Sequence, residues 1–172
     1  MNYVKAGIFF FICWLVQTTL LWRVWPFEAA PSLLLCAAVG FSWLYNRNYG
    51  LVYALVFGLL LDIQTQILFG TSALALVLGC VPAMALRRHF NPENPLPNML
   101  SALLATLVSV FVTWGICHIF GSPAGILLAV RTLPTLLISH AIICFILHIS
   151  FVRTIIKHGR DRRKRRGGIA YG

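Results

Sequence analysis

Charged residues are sparse in this chain, and the runs between them carry the first structural signal. The stretches 6–22, 29–46, 48–61, 63–86, 94–130 and 132–152 contain no Asp, Glu, Lys or Arg. Most of them approach or exceed the roughly 17–25 apolar residues with which a helix crosses a bilayer. The longest, 94–130, has room for one span plus a turn, and Gly121-Ser122-Pro123-Ala124-Gly125 supplies the turn residues. The pattern predicts helices over about 6–22, 29–45, 49–61, 71–86, 99–120 and 132–152, the third running on through Asp62 toward Gln66. Segments such as Leu55-Val56-Phe57-Gly58-Leu59-Leu60-Leu61 do not alternate polar with apolar positions, so barrel strands are excluded. The first run is longer than a signal-peptide core and has no small-x-small cleavage site directly after it, so it reads as the first span. Asn91-Pro92-Glu93-Asn94-Pro95-Leu96-Pro97 reads as a stiff turn.

Composition sharpens this picture. Of 172 residues, 59% are hydrophobic and 10% charged, against about 45–50% and 25% in soluble domains. A water-soluble globular domain is excluded, and so is a disordered chain, which would be poor in apolar residues. Six spans use most of the residues and leave too few for a separate soluble domain. The predicted fold is an all-α integral membrane protein, a compact six-helix bundle over residues 1–152 followed by a basic, disordered tail over 153–172.

Charge then orients the bundle. With six spans, the N-terminus, the turns near 47 and 87–98, and the tail share one face, which carries twelve of the fourteen basic residues; Arg23 and Arg131 lie on the other. The positive-inside rule puts both termini in the cytoplasm. In the tail, Arg160, Arg162, Arg163, Lys164, Arg165 and Arg166 form a block of like charge. Such a block serves as a topology signal, binds anionic lipid, or docks an acidic partner. No aromatic residue interleaves it, and this speaks against nucleic acid.

Small residues recur four apart in three segments: Gly50, Ala54 and Gly58; Ala75, Gly79 and Ala83; Ser101, Ala105 and Ser109. In lipid, such ladders let helix backbones approach. They serve either the chain's own packing or the docking of a partner's helix. Asp62 continues the first ladder and is the one acidic residue set among apolar segments; Glu28, Glu93 and Asp161 fall in loops or tail. An acid at that depth has a partner or a function. Three readings stay open: a carboxylate in water at a helix end, an ion pair with Arg131 or Arg23, or a contact with another protein.

His140, Cys144 and His148 lie four apart on the sixth predicted helix. The outer two are about 12 Å apart along the axis, so one metal ion would need ligands from elsewhere, such as Cys117 or His118. Buried interhelical hydrogen bonding is the better reading, and no metal or cofactor is predicted. The five cysteines (Cys13, Cys36, Cys80, Cys117 and Cys144) fall in predicted spans with no paired spacing, and read as small apolar residues rather than a disulfide framework. No nucleophile–base pattern, phosphate loop or metalloprotease motif occurs, so no enzyme activity is predicted.

A family resemblance adds to this. Gly58-Leu59-Leu60-Leu61-Asp62-Ile63, followed by Leu68-Phe69-Gly70-Thr71-Ser72-Ala73-Leu74, resembles the "G-L-x-x-D" and "L-G-x-x-A-L" stretches of the MreD family of rod shape-determining proteins. Upstream, Pro31-Ser32-Leu33-Leu34-Leu35 is similar to the family's "P-D-L-L-L", with Ser32 where the family often has Asp. The motif match covers roughly residues 31–75, while length and topology carry the remainder. The resemblance implies a non-enzymatic component of the bacterial elongation machinery in the cytoplasmic membrane. It implies MreC as a partner, with MreB, RodA and a class B penicillin-binding transpeptidase nearby. Gly58, Asp62 and Gly70 are the motif residues, assigned to packing and assembly. The family is also similar to the substrate-binding S components of energy-coupling-factor vitamin transporters. That is the alternative function; it would need a polar pocket built from groups such as Asp62, Gln64, Gln66, Arg131 and Trp25.

Overall fold

The computed structural model describes residues 3–21, 31–44, 47–65, 69–90, 95–120 and 130–150, which are almost entirely helical. α1 is Tyr3–Val16 and continues as a π-helical turn, Gln17–Leu21. α2 is Leu33–Leu44, α3 Arg47–Thr65, α4 Thr71–Leu86 and α5 Pro95–Ile119. α6 is Val130–Ser150. Among the described residues the helix count is the predicted one, and the fourth helix has the predicted bounds. Two of the helices, α5 and α6, are long and apolar enough to cross a membrane, whereas the others are shorter apolar helices.

The boundary differences have local causes. α5 starts at Pro95, four residues before its predicted start, so Pro95-Leu96-Pro97 belongs to the helix rather than to a turn. The first N–H groups of a helix have no intrahelical acceptor, so proline costs little there. α2 starts at Leu33 rather than near 29, because Ser32 caps it: its Oγ accepts from the Leu35 N–H at 3.2 Å. Serine is among the preferred residues for such a cap. α3 runs past 61 to Thr65, taking Asp62 with it. The Gly121–Gly125 turn, Arg23, Trp25, Gln66 and the basic tail lie outside the described residues.

α2 is the centre. Ten of its twelve residues, Leu34 to Trp43, are buried, and α1, α3, α4 and α5 all pack on it. A helix apolar on every side suits a protein core or lipid alike, and here other helices enclose it. Phe10 of α1 joins it to α3, with its ring 5.0 Å from Phe41 and stacked at 5.0 Å on Tyr53. At the far end of α2, the Arg87 guanidinium donates to the Ser42 carbonyl at 3.0 Å, satisfying one of the carbonyls a helix leaves open at its C-terminus.

The three ladders lie where the helices cross. A Cβ on Gly50 would clash with the Ser42 hydroxyl and come within 2.9 Å of the Ala38 carbonyl, so α3 meets α2 there. A Cβ on Gly79 would reach 2.8 Å from Leu35 Cδ1 and 3.5 Å from the Ala105 carbonyl, so α4 meets both α2 and α5. Ala54, Ala75, Ala83, Ser101 and Ala105 are buried. At Gly50 and Gly79 the ladders therefore face the chain's own helices. Of the two readings of the ladders, this geometry accords with the chain's own packing, since in lipid close backbone approach is a main source of helix association.

Candidate functional site at the junction of α3 and α4

The residues that carried the motif assemble into one unit. Asp62, near the end of α3, is buried and faces the first turn of α4. Its Oδ1 accepts from the Ser72 N–H at 2.8 Å. Its Oδ2 accepts from the Gly70 N–H at 3.0 Å and the Ala73 N–H at 3.2 Å. The carboxylate thus serves as the cap of a helix it does not belong to. Gly70, at the N-cap position, has φ 97° and no side chain with which to cap. Three main-chain donors satisfy an anion well, and the positive end of the α4 dipole adds to this.

Gly58 makes the approach possible. A Cβ there would lie 2.5 Å from Ala73 Cα and 2.9 Å from Ala73 N, both backbone atoms that cannot swing away. One turn of α3 therefore presses on the first turn of α4, and the next turn delivers Asp62 to its amides. Gly70 has a different role from the packing assigned to it. Nothing lies within 4 Å of where its Cβ would be, and glycine is required there by the left-handed φ.

Of the three open readings of Asp62, an ion pair with Arg131 is not seen among the described residues, and Arg23 lies outside them. Both carboxylate oxygens are taken by main-chain amides, and Arg131 is exposed. Main-chain donors have no signature in sequence, which is why charge complementarity suggested the arginine.

A second buried junction lies at the start of α2. The Ser32 N–H donates to His140 Nε2 at 2.7 Å and the Leu34 N–H to Gln17 Oε1 at 2.9 Å. Because His140 Nε2 accepts, the neutral ring carries its proton on Nδ1. Nδ1 then donates to Thr106 Oγ1 at 2.9 Å, and that hydroxyl donates to the Ala102 carbonyl at 2.8 Å. One turn on, Cys144 Sγ lies 3.8 Å from the Asn98 carbonyl. A turn further, His148 Nδ1 meets Asn98 Nδ2 at 3.1 Å. The row His140, Cys144, His148 is thus the polar seam of α6 against α5 and α2, as the interhelical reading proposed. Among the described residues no group of three metal-type ligands occurs, and His118 stacks on Trp114 with ring centroids 5.4 Å apart.

Sequence reasoning missed Gln17 and Asn98. Each sits within an apolar run without charge or motif, and only the tertiary structure shows what it holds. Gln17 carried the one available signal, as the first strongly polar side chain after the eleven residues Ala6–Val16.

Together, fold and junctions define an all-helical protein of apolar helices, with buried polar groups that hold helix ends and seams. The sequence matches the family described as rod shape-determining protein MreD over residues 2–155, and the chain belongs to that family. Its role is accordingly in rod-shape determination, as a shape-determining membrane protein and not a member of a known enzyme family. No curated protein and no solved structure matches the chain.

Proposed function

We propose that this protein is a multi-pass, non-enzymatic component of the bacterial elongation complex that binds MreC and helps to organise peptidoglycan synthesis. The observation that carries the reading is the family match over residues 2–155, most of the chain. The six helices cross the cytoplasmic membrane with both termini inside, a reading supported by the placement of twelve of the fourteen basic residues on one face. Because the small-residue ladders face the chain's own helices at Gly50 and Gly79, MreC docks on outward apolar side chains, of which Ile8, Phe11 and Ile12 on α1 and Val52, Val56 and Ile63 on α3 are examples. MreB, RodA and a class B penicillin-binding transpeptidase belong to the same assembly, and the basic tail from Arg160 to Arg166 engages anionic lipid at the cytoplasmic surface.

Crosslinked co-purification of the tagged protein from native membranes tests this, with MreC expected among the proteins identified by mass spectrometry. Rod shape persisting after depletion in a rod-forming host would overturn the reading. The alternative, a vitamin-binding S component, draws no support from solved structures.

A further inference from the structure

We draw no further inference here: the strongest candidate, the outward surface patch of α5 where Gly115 leaves open space beside the exposed Phe111 and Ile119, carries none because nothing in the structure shows what covers it.

Discussion

Asp62 shows what a single acid does in an apolar chain. Its carboxylate satisfies three amides that no other side chain reaches. Asp62→Asn keeps one acceptor oxygen but turns an amide donor toward other donors. It is expected to destabilise the protein by about 1–3 kcal/mol, the cost of leaving buried polar groups unmet, read as a lowered melting temperature in detergent. Arg131→Ala is the control that separates capping from ion pairing and is expected to leave the melt unchanged. His140→Leu is expected to cost a similar ~1–3 kcal/mol, because the Ser32 N–H and the Thr106 hydroxyl both lose a partner; the same melt measures it. At this scale the sequence was half legible. An acid among apolar residues is conspicuous, and so is a histidine row. Their partners were hidden, because backbone amides look alike at every position. Ser32 was the readable case: standing where the family often has Asp, it still accepts an amide as a cap, a role that serine and aspartate share.

Helix existence was legible from the spacing of charges, and helix contacts were not. The ladders announced close approach without naming the neighbour; the structure assigns Gly50 to α2, Gly58 to α4, and Gly79 to α2 and α5. The distinction has measurable consequences. Gly58→Ala drives a methyl into the Ala73 backbone and is expected to cost about 1–3 kcal/mol, the usual range for overpacking. Ala73→Gly is not expected to rescue it, since the nearest atoms are Ala73 Cα and N. Gly79→Ala meets first the end of the Leu35 side chain, which can rotate, so its cost is expected to be clearly smaller. Melting curves of the three variants side by side check the order. The early start of α5 belongs here too: prolines read as turn residues, and only the position of Pro95 within the first turn makes it compatible with helix.

For the whole molecule, the proposed topology makes a direct prediction. In intact cells Gly125→Cys is expected to react with a membrane-impermeant thiol reagent and Asn94→Cys to remain unreacted; the reverse pattern would invert the orientation. The background is low because the native cysteines are buried. Composition made the class of the molecule legible, whereas the central position of α2 was not, because a uniformly apolar helix is compatible with a lipid-facing or an enclosed site alike. That enclosed position has a consequence for biogenesis. Asp62 and its amides are 8–11 residues apart, so this junction can close as soon as α4 emerges. Ser32 and His140 are 108 residues apart. At about 5–20 residues per second, the entry to the central helix waits roughly 5–20 s for α6 to be synthesised. The centre of this protein is therefore completed only by α6, and a nascent chain released before α6 would carry an unsealed core into the bilayer.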